Sequence, residues 1–372
     1  MRPIYVAATG QHIGKTTSTL GIMANLQLLG FNTGYCKPVG QKYLMVNDIK
    51  VDKDAVLFSD ILDFELLPHY HSPVVLARNT SREYLEDPAA FDFRPSVVAA
   101  AKYLNQRHDI VVYEGTGHPG VGTVVDLSNA DVAKLLNAGV VMIVEGGIGN
   151  TIDRLNMSLA LFRESGVPIL GVIVNKVRPD KMDMVEHFLK IKLKKLNIPI
   201  LGMLPYDQTL SFPIIETIIR AVDGKVLLNS HKLYNRVEDI VAGSLVDAEE
   251  FSTFKNILLV VSIKRLEEAV AKIQRITELK KLDKPPLSGV LVTGDGRHAR
   301  WYSEKELQNP YFREHDIPVI TTELDTYGSV VKISRIEVKI NTRTPWKAKR
   351  AIELIKQRVN FELMLDRAHH LA

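Results

Sequence analysis

Nine residues near the start of the chain constrain its fold more than any others: Thr9-Gly10-Gln11-His12-Ile13-Gly14-Lys15-Thr16-Thr17. The run Ile4–Ala8 before them is apolar and rich in strand formers. Thr16–Leu29 after them has helical spacing, with Leu20, Met23, Leu26 and Leu29 on one face. A glycine-bearing turn between a strand and a helix lets several backbone N–H groups converge, and the helix N-terminus adds partial positive charge. Such a turn suits phosphate. In that setting Lys15 reaches the outer phosphates as a point charge, and the Thr16 hydroxyl suits Mg²⁺. The spacing departs from G-x-x-x-x-G-K-[ST] at one place: Thr9 stands where the first glycine belongs, and Gly10 follows it.

The rest of the first half continues the alternation. Gly34–Val39, Asp109–Tyr113, Val140–Val144, Ile169–Val174 and Ile198–Leu204 read as strands, and Ser96–Leu104, Leu155–Ser165 and Val185–Leu196 as helices. Short apolar runs separated by helices predict βαβ units and a parallel sheet covered on both faces. Ile214–Val222 reads as a helix, and a boundary falls near residues 215–235. Beyond it the pattern repeats in miniature: strands at Ile257–Val261, Gly289–Thr293 and Pro318–Thr322, helices at Arg265–Leu279 and Ala348–Val359. We therefore expect two α/β domains, 1–220 and 221–360, and a helical tail over 361–372.

Composition narrows the class. Among 372 residues, 46% are hydrophobic and 24% charged, which excludes a disordered or collagen-like chain. The net charge of +4 is too small and too dispersed to predict a nucleic-acid partner. Lys190, Lys192, Lys194 and Lys195 are accounted for by a solvated helix face. Cys36 is the single cysteine, so no intrachain disulfide forms, and we read it as a small buried apolar residue. The start, MRPIYVAATG, is too short for a signal-peptide core, and no stretch approaches the ~20 apolar residues of a membrane span. A cytoplasmic location without membrane attachment is expected.

An acid at the C-terminal end of a parallel strand faces the crevice where such sheets bind ligands. Glu114, followed by Gly115-Thr116-Gly117, stands there and is the first candidate to orient a metal; Asp54 is a weaker one.

Several stretches together resemble dethiobiotin synthetase and its ATP-dependent relatives, above all the dethiobiotin-synthetase-like domain at the N-terminus of some phosphotransacetylases. They are Ala8–Thr17, Gly34–Val39, Asp54-Ala55, Glu114–His118, Pro168–Val177 and Leu201–Pro205, in the family's order over residues 1 to about 215. The variant loop beginning with threonine is normal there. The resemblance implies a P-loop NTPase-type sheet, with ATP held by residues 9–17. It implies Mg²⁺ on Thr16, Asp54 and Glu114, Lys15 and Lys37 at the transferred phosphoryl group, and Asn175 at adenine. It further implies a small-molecule carboxylate-type substrate and a homodimer or higher homo-oligomer. The loop His118–Asp126 departs from the biotin-precursor site, so that substrate is not expected. His118 is either a proton carrier or phosphate donor, or a polar loop residue; His12 carries the same two readings.

The second half resembles the DRTGG domain through Gly289–Gly294, Pro318–Thr322 and Asp325–Val330, although the naming motif is not intact. Asp325, Thr326 and Tyr327 either line a pocket or form a helix start capped by Asp325. Phosphotransacetylases with this pair continue into a further catalytic domain, so acetyl transfer is not expected of these residues alone. Two functions remain: ATP-dependent activation of a carboxylate or carbamate, and nucleotide sensing with little turnover.

Overall fold

The computed structural model describes residues 1–242, 254–294 and 309–370, and the chain divides into two compact units. The first unit comprises Met1–Asp207 and takes up the chain again at Ile340; the second is Gln208–Lys339.

Six strands form the sheet of the first unit: β1 (Ile4–Ala8), β2 (Thr33–Cys36), β3 (Ile110–Glu114), β4 (Gly139–Glu145), β5 (Ile169–Val177) and β6 (Ile200–Pro205). Their order is β6-β5-β4-β1-β3-β2, and every neighbouring pair is parallel. The central strand β1 is buried along its whole length, which is why it reads as an unbroken apolar run. From β1 the chain passes to the edge strand β2 and returns through β3 between the two, then builds outward on the other side through β4 to β6. The loop after β1 therefore opens at the switch point, where such sheets hold ligands. Five longer helices belong to this part: α1 (Lys15–Leu28), α2 (Lys53–Leu62), α3 (Arg94–Asn105), α4 (Gly149–Glu164) and α5 (Met182–Lys195).

The expected strand Gly34–Val39 is in fact two pieces. After β2, Lys37 and Pro38 leave the sheet, and Val39–Gly40 pairs with Val74–Val75 instead. Pro38 has no N–H to give a ladder.

The second unit has a five-stranded sheet: β7 (Lys225–Leu228), β8 (Asp239–Ala242), β9 (Ile257–Ser262), β10 (Leu287–Thr293) and β11 (Val319–Thr322), in the order β7-β11-β10-β9-β8. Only β7 runs antiparallel. Helices α6 (Ile215–Ala221), α7 (Leu266–Leu279) and α8 (Thr326–Ser334) cover it, with cores built on Ile257, Leu259, Ile273 and Phe312 and on Leu258, Leu291 and Ile320. Asp325 accepts the Gly328 N–H and caps α8, so the helix-start reading holds there. The sequence after β10 runs Gly294-Asp295-Gly296, and its last two residues lie outside the described ones.

The end of the chain departs from expectation. The expected second domain spans 221–360 and the expected tail 361–372, yet residues 208–220 belong to the second unit, and α9 (Pro345–Arg358) and α10 (Phe361–His370) complete the first. The Asn25 side-chain amide on α1 donates to its own helix at Gly21 and to Ile352 of α9, at 2.8 and 3.0 Å. Gly21 is where the two helices meet: a Cβ there would stand 2.4 Å from Ile355. Helix α10 is tied on by Asn360 N–H to Leu201 O and by Arg367 to Ile169 O. Covered by the sheet on one side and α9 on the other, α1 is buried from Ser18 to Leu26 rather than along one stripe, while Leu29 is exposed.

Candidate functional site

Glu114 ends β3 and is fully buried at the mouth of the loop that follows β1. Its Oε1 accepts the Thr16 hydroxyl at 2.7 Å and lies 3.2 Å from Lys37 Nζ and 3.9 Å from Lys15 Nζ. Lys37 Nζ also donates to Asp54 Oδ2 at 2.7 Å. Five of the residues picked from the sequence (Lys15, Thr16, Lys37, Asp54 and Glu114) therefore form one cluster, although they come from four separate segments.

Burial alone would push the Lys37 ammonium down. The carboxylates of Asp54, Glu114 and Asp52 outweigh it and hold the group above the ordinary lysine range. Lys37 thus stays charged in a nearly water-free position.

Two residues missed from the sequence hold this cluster in shape. Tyr35 donates its hydroxyl to Glu114 Oε2 at 3.1 Å, which leaves Oε1 for Thr16 and the lysines. Burial, and then Glu114, raise the Tyr35 pKa, so it remains a donor. Its ring stacks on Phe58 of α2 at 4.1 Å. The signal was its spacing: Tyr35 stands two residues before Lys37.

The second missed residue is Asp52. It ends a hairpin, Tyr43–Val46 with Ile49–Asp52, whose turn residues Asn47 and Asp48 both have positive φ, 48° and 62°. Two central residues at positive φ fit a type I′ turn, a conformation that Asn and Asp tolerate better than most residues. Asp52 then accepts the Asp54 N–H, caps α2 and so fixes Asp54 in the first turn. Its other oxygen accepts the Gln41 N–H. Burial pushes the Asp52 carboxyl up to about 6 against the pull of Lys37. Only glycine fits at position 40, because a Cβ would stand 2.5 Å from Asp52 Oδ2.

The loop itself runs over Thr9, Gly10, Gln11, His12, Ile13 and Gly14 into Lys15, Thr16 and Thr17 of α1. Thr9 N–H bonds Ile143 O at 3.2 Å, tying the loop's start to β4. Gln11 and His12 are exposed at its tip. His12 and Gly14 have left-handed backbones, φ 59° and 98°. Asn175 is nearly buried against the loop, where its amide donates to Ile13 O at 2.7 Å and its oxygen accepts the Lys176 N–H at 2.9 Å.

The loop after Glu114 is pinned by Asn129, also missed from the sequence. The Asn129 oxygen accepts from the Tyr5 hydroxyl and the Thr116 N–H, and its amide donates to Thr116 O and His118 O. The exposed His118 ring accepts the Gly120 N–H of its own turn at 3.3 Å. Cys36 is buried in β2, where burial pushes its thiol up.

Thr16, Asp54 and Glu114 offer hydroxyl and carboxylate oxygens, the donors a hard divalent cation prefers. Among the described residues no group of three His, Cys, Asp or Glu is placed to hold a metal by itself. A cation here would share its coordination with phosphate oxygens and water, as Mg²⁺ commonly does. No helix among the described residues is long and apolar enough to cross a membrane.

The chain is 23% identical over 384 residues to the phosphate acetyltransferase of Nitrosomonas europaea, covering 99% of this chain and 52% of that protein. Thus it spans about half the length of the phosphate acetyltransferase it matches. It is 26% identical over 207 residues to the ATP-dependent dethiobiotin synthetase of Clostridium kluyveri, covering 51% of this chain and 83% of the synthetase. Among solved structures, the MinD cell division protein of Aquifex aeolicus aligns at 15% identity with a TM-score of 0.35, over 57% of this chain and 85% of that one. The family model described as "AAA domain" matches residues 2–213, the segment that carries the loop, Lys37, Asp54, Glu114 and Asn175, and the chain belongs to that AAA domain family.

Proposed function

We propose that this chain binds ATP with Mg²⁺ on residues 9–17 and uses it to activate a carboxylate or carbamate. The observation that carries the reading is the convergence of Lys15, Lys37 and Thr16 on one oxygen of the buried Glu114. Two cations side by side, Lys37 buried and Lys15 partly so, suit the charge that develops on a transferred phosphoryl group. When bound, Mg²⁺ supplies further charge neutralisation; Thr16, Asp54 and Glu114 are the residues to hold it. A substrate carboxylate oxygen bonds to the γ-phosphorus as the bond from that phosphorus to the β–γ bridging oxygen breaks, giving ADP and an acyl phosphate. A second nucleophile then displaces phosphate to form an amide or close a ring. Lys15 and Lys37 hold the phosphoryl oxygens throughout. Asn175 keeps one N–H and one lone pair for the adenine edge, since a side-chain amide has two of each. The match to an ATP-dependent synthetase supports the nucleotide part of the reading.

In this reading the second unit is a DRTGG-like accessory domain, and the protein self-associates in the cytoplasm. A second function, nucleotide sensing without turnover, is favoured by one observation. The similarity to phosphate acetyltransferases runs through both units, covering 99% of the chain, so the pair travels together there as part of a longer protein. The test is phosphate release from Mg·ATP in the presence of a panel of small carboxylates and amines with bicarbonate. Stimulation by one class, lost in Lys15→Ala, is expected. Release that no member stimulates, with nucleotide still bound, would turn the conclusion to the sensor.

A further inference from the structure

The geometry points to Lys176, together with Asn175, as a clamp that sets the phosphate loop before any ligand arrives; this rests on the reading of residues 9–17 as the phosphate site. Lys176 follows Asn175 near the end of β5, and its Nζ donates to His12 O at 2.6 Å. Asn175 holds the next carbonyl, Ile13 O, at 2.7 Å. Two successive loop carbonyls are therefore drawn toward β5. In a trans peptide the carbonyl of one residue and the N–H of the next point in opposite directions, and the chain has no cis peptide among the described residues. Fixing His12 O and Ile13 O on β5 thus turns the Ile13 and Gly14 N–H groups away from it, to the other side of the loop. Oriented N–H groups of this kind make an anion-binding concavity.

Three further observations fit the clamp. Lys176 has φ 56°, a left-handed conformation that a lysine adopts at a cost and that clusters at functional positions. Glu145, ending β4, lies 3.8 Å from the Lys176 ammonium and steadies it from the next strand. Gly14 has no room for a side chain, since a Cβ would stand 2.1 Å from Asn175 Nδ2, so loop and clamp fit only with glycine there. Lys176 is a positioning residue in this account: it acts on phosphate through the loop backbone.

The experiment is titration of the full chain and of Lys176→Met and Lys176→Arg with Mg·ATP and with inorganic tripolyphosphate, which has no base, alongside thermal melting. A hydrogen bond from a charged group is commonly worth about tenfold or more in an equilibrium. The clamp predicts a loss of about that size in Lys176→Met, equal for ATP and tripolyphosphate, with melting unchanged and partial recovery in Lys176→Arg. A loss confined to ATP would make Lys176 a contact to the base or sugar and overturn the clamp. An unchanged affinity, or a loss that tracks a lowered melting temperature, would overturn it equally. Failure of the unmodified chain to bind either probe would instead strike the phosphate-site reading itself.

Discussion

Both units present the C-terminal ends of parallel strands, but the chemistry there differs. In the first unit β3 ends in the buried Glu114, with Lys37 and Lys15 held against it. In the second, among the described residues, β10 and β11 end in hydroxyls. Thr293 Oγ1 pairs with Thr326 Oγ1 at 2.9 Å, Thr322 donates to Val222 O at 2.7 Å, and Asp325 caps α8. Those hydroxyls and the capping carboxylate are engaged in holding local structure. The same architecture thus supports two outcomes, and the side chains at the strand ends decide which. Fold alone would not have separated them.

That contrast can be broken in several ways. The largest effect is expected from Lys15→Ala, which should weaken Mg·ATP binding by about a hundredfold, the upper scale of losing a charged hydrogen-bond donor to the phosphates. Calorimetric titration checks it, and unchanged affinity would remove the first unit's claim to be the chemical one.

Acid should weaken the first unit next. Burial, and then His108, lower the His71 pKa from 6.5 to about 4, and its Nδ1 accepts the Leu67 N–H. The unfolded chain then takes up this proton at higher pH than the folded one. Stability is lost as pH falls through the window from 6.5 to about 4, by up to about 3 kcal/mol. Replacing His71 by Asn, whose oxygen can accept the same N–H, should flatten the curve. Melting temperatures of both forms across that range, falling in parallel, would reject the assignment.

A smaller effect separates positioning from charge. Tyr35→Phe removes the donor to Glu114 Oε2 and should cost about fivefold to tenfold in Mg²⁺-dependent ATP affinity, the worth of one hydrogen bond, while affinity in chelator stays the same. Equal losses with and without Mg²⁺ would show that Tyr35 does not act through Glu114. The smallest is Asp325→Ala, expected to cost about 1 kcal/mol of stability as a lost helix cap and to leave nucleotide binding alone. A change in ATP affinity there would join the two units functionally and blunt the comparison.

How much could be read in advance depended on the range of the interactions. The strand–loop–helix around Lys15 was legible because every cue lies within 25 residues: β1 is the expected Ile4–Ala8, and the helix follows the loop at once. Glu114 was legible from its place at a strand end. Its meeting with Lys37 needed the order β1-β3-β2, which no local pattern encodes. The return of α9 and α10 was not legible either. The spacing of α9 predicts a helix but not its partner, and the fit depends on Gly21 and Asn25, more than 300 residues earlier. Lys176 was passed over beside Asn175 because its role lies in a bond to a backbone carbonyl 164 residues away.

The central claim is that charge gathered at the end of β3 makes the first unit a Mg-nucleotide site. It is tested most directly by isothermal titration of the full chain with ATP and ADP, with Mg²⁺ and with chelator. The account predicts one site per chain, tighter for ATP with Mg²⁺ than in chelator, and lost in Lys15→Ala. Absence of binding, or binding that survives Lys15→Ala with the same Mg²⁺ dependence, would contradict it.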